Sequence, residues 1–193
     1  MKEEKGFTLL ELLIAMSIAG IVVAGATTTL SHVITVGSAN SNRMTAVRQA
    51  QTAGYWVSHD ALMANEVQTD DPVTPETEFL VLNWVEYIRD ENDILVDVVS
   101  HNVIYSIEDG SSSLKYLQRQ HTATDSEGGE TVTTIVAGQN IDDSVSTDPN
   151  WNYNTEAKWN VDGDQKLALK VTATVLGEEE TRVYEIQPRP LSQ

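Results

Sequence analysis

Leu12-Leu13-Ile14-Ala15-Met16-Ser17-Ile18-Ala19-Gly20-Ile21-Val22-Val23-Ala24-Gly25-Ala26 is apolar on every side of any helix it forms. It sits in a longer stretch, Leu12 to Asn42, without a Lys, Arg, Asp or Glu. A helix needs about 20 mostly apolar residues to cross the hydrocarbon core of a bilayer, and Phe7 to Leu30 supplies them. A cleavable secretory signal has a shorter apolar region and a small-residue cut site, which Ala24, Gly25 and Ala26 imitate. Against that reading stand the abrupt start of the apolar run and the carboxylate of Glu11 at its edge. A lone acid in a membrane helix costs about 2.5–3.5 kcal/mol at the centre and less near an end, so such a group normally has a partner. No Lys, Arg or His follows within two turns of Glu11. Two readings stay open here: a carboxylate that complements the positive helix start, or one that meets a cation from another chain. A cut before Phe7 would create such a cation, an α-amino group one turn away.

Outward from this run, the remainder is acidic. The 193 residues carry 12 Lys plus Arg against 29 Asp plus Glu, a net charge of −17. Residues 1–59 sum to +1 and residues 60–193 to −18. A region so acidic repels phosphate backbones, which argues against direct nucleic-acid binding. The absence of cysteine excludes disulfides, thiolate metal sites and cysteine nucleophiles.

Past Leu30 the pattern turns amphipathic. Val47, Ala50, Gly54, Val57, Ala61 and Ala64 form one stripe, with Arg43, Arg48, Gln49, Thr52 and Asp60 off it. No proline precedes Pro72, so the spacing predicts a single helix from Thr8 to Glu66, roughly 88 Å long at 1.5 Å per residue. Gly20, Gly25 and Gly37 are sites of either local melting or close helix contact. Asp70 to Pro75 predicts the loop that ends the helix. Beyond it the period becomes two. Leu167, Leu169, Val171, Ala173 and Val175 alternate with Ala168, Lys170, Thr172 and Thr174, and a turn at Gly177-Glu178 leads to Thr181–Gln187. Val103, Tyr105 and Ile107 alternate likewise, with Asp109-Gly110 turning into Leu114–Gln118. Further strands are expected at Phe79–Ile88, Ile94–Val99 and Thr131–Val136, and a long surface loop over 137–165. Strands that follow one long helix predict an α+β fold, an antiparallel sheet laid on the helix stripe.

Lys5-Gly6-Phe7-Thr8-Leu9-Leu10-Glu11-Leu12-Leu13-Ile14-Ala15 resembles the N-terminal signature of type IV prepilins and type II secretion pseudopilins. The resemblance covers about residues 5–25. It implies a pilin-like fold with a leader at 1–6, a transmembrane helix at 7–30, an amphipathic continuation at 31–66 and a β-rich head at 67–193. It also implies cleavage by prepilin peptidase between Gly6 and Phe7, N-methylation of Phe7, and use of Glu11 in filament assembly. The implied partners are that peptidase, other pilin or pseudopilin subunits and the inner membrane. The head would lie outside the cytoplasm, first on a single-pass anchor and then in a cell-surface or periplasmic filament. Lys2 and Lys5 are offset by Glu3 and Glu4, whereas family leaders are usually net basic; topology responds mainly to Lys and Arg. Val103–Arg119 and Gln165–Arg189 also resemble J-type minor pseudopilins and W-type minor pilins, through Tyr105-Ser106-Ile107-Glu108-Asp109-Gly110 and Leu114-Lys115-Tyr116-Leu117-Gln118-Arg119. With 127 residues after Glu66, the head is large for a major pseudopilin. A pilus subunit for adhesion or DNA uptake, and an anchored surface-binding module that never polymerises, are the alternatives.

Nothing in the sequence supports catalysis. His32, His59, His101 and His121 show no paired metal spacing, and Ser58-His59-Asp60 is no triad because successive helix residues diverge by about 100°. No catalytic residue and no cofactor is expected. Asp162 and Asp164 around Gly163 are weak calcium candidates, and they equally make an Asp-Gly turn. Trp151, Tyr153 and Trp159 read as a loop covering a sheet edge or as an exposed contact surface.

Overall fold

A computed structural model describes residues 8–69, 78–110, 115–159 and 165–188. The chain divides into two compact units, residues 1–41 and residues 42–193. One helix, α1, runs through Leu9–Met63. In the first unit it is an uninterrupted helix whose large apolar side chains are exposed, from Leu9 through Ile34. It is long and apolar enough to cross a membrane. The chain stays helical through Gly20, Gly25 and Gly37, and a Cβ added at any of the three would meet nothing. Five hydroxyls of this stretch, those of Ser17, Thr27, Thr28, Thr29 and Thr35, bond back to carbonyls a turn earlier, Ser17 to Leu13 at 2.8 Å and Thr27 to Val23 at 2.8 Å. Such back-bonding satisfies these hydroxyls in an apolar medium.

The second unit contains the rest of α1 and two antiparallel sheets. The first sheet is a meander in the order β1 (Glu66–Thr69), β2 (Glu78–Arg89), β3 (Leu95–Asp109), β4 (Lys115–Thr124), β5 (Glu130–Gln139). The second is β6 (Glu156–Trp159), β7 (Leu167–Val175), β8 (Glu178–Ile186). Ala46, Ala50, Ala53, Val57 and Ala61 of the helix join Leu80, Leu82, Val103, Tyr105 and Leu117 of the first sheet and Leu167, Leu169 and Val171 of the second in one core. The α+β, pilin-like architecture expected from the sequence is the one observed.

Small residues on the helix stripe let the sheets come close. At Gly54 the Tyr184 ring lies where a Cβ would stand, and its hydroxyl donates to the Ala50 carbonyl at 3.3 Å. Across the helix, Gln49 Oε1 accepts the backbone N–H of Gln139 at 2.8 Å.

Three details differ from the sequence reading. The helix stops at Met63 rather than Glu66, because Asn65 N–H turns to the Asn83 carbonyl (2.8 Å) and Glu66 enters β1. The loop expected at Asp70–Pro75 lies outside the described residues. Ile94–Val99 and Val103–Ile107 are not two strands: all but Ile94 fall within one, β3, since nothing between them turns the chain. The expected loop over 137–165 is shorter: Ala137 to Gln139 finish β5, and β6 lies within it. Its described part is tied to β7, where Thr174 N–H donates to Asn140 (2.8 Å) and Asp142 N–H to Thr172 (2.9 Å). That cover explains why Ala168, Lys170 and Thr172, the polar-phase residues of β7, are buried along with its apolar ones. The Lys170 ammonium is satisfied by Ser146 Oγ at 2.6 Å. Trp151, Tyr153 and Trp159 are half-buried in this region, Trp159 against the core and Trp151 under the Lys158 ammonium, 5.0 Å from its ring.

Candidate functional site

The start of α1 is a reciprocal cap. Thr8 precedes the first helical residue, and its backbone N–H and hydroxyl both donate to Glu11 Oε2 at 2.9 Å. Glu11 N–H returns a bond to Thr8 Oγ1 at 3.3 Å. This is a capping box, in which two otherwise orphaned N–H groups of the first turn are satisfied by side chains three residues apart. Glu11 thus has a partner on its own chain, which a search for cations alone overlooks and the Thr8-x-x-Glu11 spacing announces. Its second oxygen, Oε1, takes part in none of these bonds. Gly6 and Phe7 lie outside the described residues, as do Asp162 and Asp164.

A second constellation forms in the other unit. Asp60, off the apolar stripe in the sequence reading, is instead 1% exposed. Arg119 reaches it side-on from β4, with Nε to Oδ2 at 2.6 Å and Nη2 to Oδ1 at 3.0 Å. The Tyr105 hydroxyl from β3 donates to the same Oδ2 at 2.5 Å. Tyr105 and Arg119 are direct partners in the β3–β4 register, so one cross-strand pair closes on one helix carboxylate. The guanidinium also lies 5.3 Å from the centre of the Trp56 ring. Burial alone lowers the Arg119 pKa, but the bond to Asp60 and its charge outweigh that and leave it above the ordinary arginine value. Burial, then the Asp60 charge, pushes the Tyr105 phenol up, so it stays a donor at any working pH. The group has no water-facing nucleophile. It is a clamp of α1 to β3 and β4, and it gives a physical role to Tyr105 and Arg119 of the strand motif.

His59 lies beside Asp60 at 3.4 Å but is mostly exposed, and the carboxylate is already held by Arg119 and Tyr105; the three consecutive residues make no triad. His101 and His121, 20 positions apart, are brought together by the β3–β4 pairing: His101 Nδ1 is 2.9 Å from His121 Nε2, and His101 Nε2 is 3.2 Å from Glu86 Oε2. Donation from His121 to His101 to Glu86 satisfies the chain with both imidazoles neutral. Trp84 stacks on both rings. Among the described residues no group of three His, Cys, Asp or Glu is arranged to hold a metal ion.

Burial first, then the charges of Arg119 and His101, holds His121 below the ordinary imidazole range, with Asp60 opposing. The unfolded chain therefore takes up the His121 proton at higher pH than the folded one. This contribution to stability is present above about pH 6.5 and is lost as pH falls below it. Urea unfolding of His121→Gln is expected to show a shallower loss of stability between about pH 7 and pH 5 than the parent. Equal slopes would contradict the assignment.

Comparison with known proteins adds one match: the family model of the prokaryotic N-terminal methylation motif fits residues 1–27. No curated protein and no solved structure matches the chain. The motif supports a type IV prepilin-like chain, processed as such and meeting other pilins. With the apolar helix it supports anchoring in the inner membrane. The motif's family is structural rather than catalytic.

Proposed function

We propose that this chain is a minor subunit of a type II secretion or type IV pilus-like filament, J-like or W-like, cut between Gly6 and Phe7 and N-methylated on Phe7. The observation that carries the reading is the methylation motif at the head of a long apolar helix. Phe7–Leu30 then serves twice, as a bilayer anchor and as filament core. Extraction from lipid would expose its apolar surface to water, so neighbouring anchors must bury it. In that dry core the Glu11 carboxylate meets the Phe7 amine of an adjacent subunit. A minor placement is supported by the large head and by the Tyr105 and Arg119 strand motif.

The test is composition. In cells that carry an assembly system, the tagged full chain is expected in sheared filaments at a small fraction of the most abundant subunit. Its absence from filaments, or its being their most abundant component, would count against the proposal.

A further inference from the structure

Among the described residues two edges of the first sheet are open, the outer side of β5 and the part of β2 that runs beyond β1. β1 pairs only with Leu80 to Asn83 of β2, and no described strand pairs with the outer edge of β2 from Trp84 to Arg89. The Asn83 carbonyl points to that side, since it accepts Asn65 N–H there. Backbone direction alternates along a strand and the β2–β3 register is regular over these positions, so Val85 and Tyr87 aim their N–H and C=O groups at the same open edge.

Natural sheets blunt such edges with charge, proline or a covering element. Here the side chains do the reverse. Tyr87 is 64% exposed, Val96 across the hairpin 63%, and Val85, Ile88, Ile94 and Leu95 are also exposed. The hairpin end is therefore apolar on both faces, where a solvated sheet ordinarily has one polar face. Around it the charge is one-sided: Glu86, Asp90, Glu91, Asp93 and Asp97 against a single Arg89, which is bound to the Asp93 carbonyl at 3.0 Å.

We infer that β2 from Val85 to Arg89 accepts an added strand from a different, basic protein: an extended segment with alternating apolar residues and an excess of Lys and Arg. Main-chain bonds to Val85 and Tyr87 supply the affinity, and the apolar side chains with their acidic rim select the partner. A second copy of this chain is disfavoured, because its net charge of −17 meets the same acidic rim.

The experiment uses the full chain in membranes of the cells that produce it, with a photo-reactive phenylalanine at Tyr87 and, as control, at Gln120 on the strand two removed. The expected result is an adduct from position 87 and none from position 120. Its mapped peptide should be extended, apolar-alternating and net basic. Val85→Pro removes one edge-directed N–H without touching a bond to β3, and edge strands tolerate such a proline. It is expected to lower adduct yield about tenfold or more, while tryptophan fluorescence stays that of the parent. Tyr87→Ser, assayed from a probe at Val85, should weaken the adduct through lost apolar contact. An adduct with a second copy, with an acidic segment or with lipid, or a yield indifferent to Val85→Pro in a folded variant, would overturn the inference. So would no adduct at all.

Discussion

Asp60→Ala is expected to destabilise the head by about 3–5 kcal/mol, the usual cost of removing one partner of a buried ion pair. The reason is what stays behind. Arg119, only 7% exposed, would keep a guanidinium in the core without a counter-charge, and the Tyr105 hydroxyl would lose its acceptor. The pair itself need not be a large net contributor, since desolvating both ions offsets much of their attraction. The single and double variants separate these terms. Asp60→Leu with Arg119→Met is expected to recover most of the loss, because two apolar groups replace the pair and no charge is left unpaired. Urea unfolding of the full chain in detergent, followed by tryptophan fluorescence, measures parent, single and double variant alike. A loss below about 1 kcal/mol for Asp60→Ala would mean the carboxylate is not the clamp described.

Glu11→Ala is expected to leave the chain in the membrane and to remove it from filaments, by tenfold or more if the desolvated pair with the Phe7 amine contributes about 2–5 kcal/mol. Alanine also deletes the cap on Thr8, which by itself costs about 0.5–2 kcal/mol of helix start. Glu11→Gln distinguishes the two roles, because a glutamine three residues into a capping box still accepts from Thr8 but carries no charge. Glu11→Gln is expected to fail in filaments nearly as badly as Glu11→Ala. Normal incorporation of Glu11→Gln would reduce Glu11 to a capping residue, and normal incorporation of Glu11→Ala would remove the pairing role entirely.

What is legible in the sequence is what is written locally. Helix and strands announce themselves by period, and the alternation over Leu167–Val175 bounds β7 to the residue. The same alternation misleads about burial, since the cover on its polar face comes from residues 140–155, remote in sequence and without a period of their own. The role of Asp60 stays hidden because its partners stand 45 and 59 positions away. A signal exists: Ala46, Ala50, Ala53, Val57, Asp60 and Ala64 keep the alternating four-three spacing of a buried stripe, and the carboxylate sits in phase. His101 and His121 meet only through strand register, which a turn position fixes to within a residue or two at best. β6 hides in a polar stretch, four residues long and without alternation to mark it. The unguarded β2 edge is invisible for a different reason: an edge is defined by which strand does not pair, and that is a property of topology rather than of any segment.

A chain that enters the pilin pathway carries the record of it at its N-terminus. Intact mass and the N-terminal peptide of the protein from membranes containing prepilin peptidase read that record. The expected product starts at Phe7 and is one methyl group heavier than its unmodified sequence. A chain still starting at Met1, or cut near Ala26, would contradict entry into that pathway and leave the head to be understood as an independent binding domain.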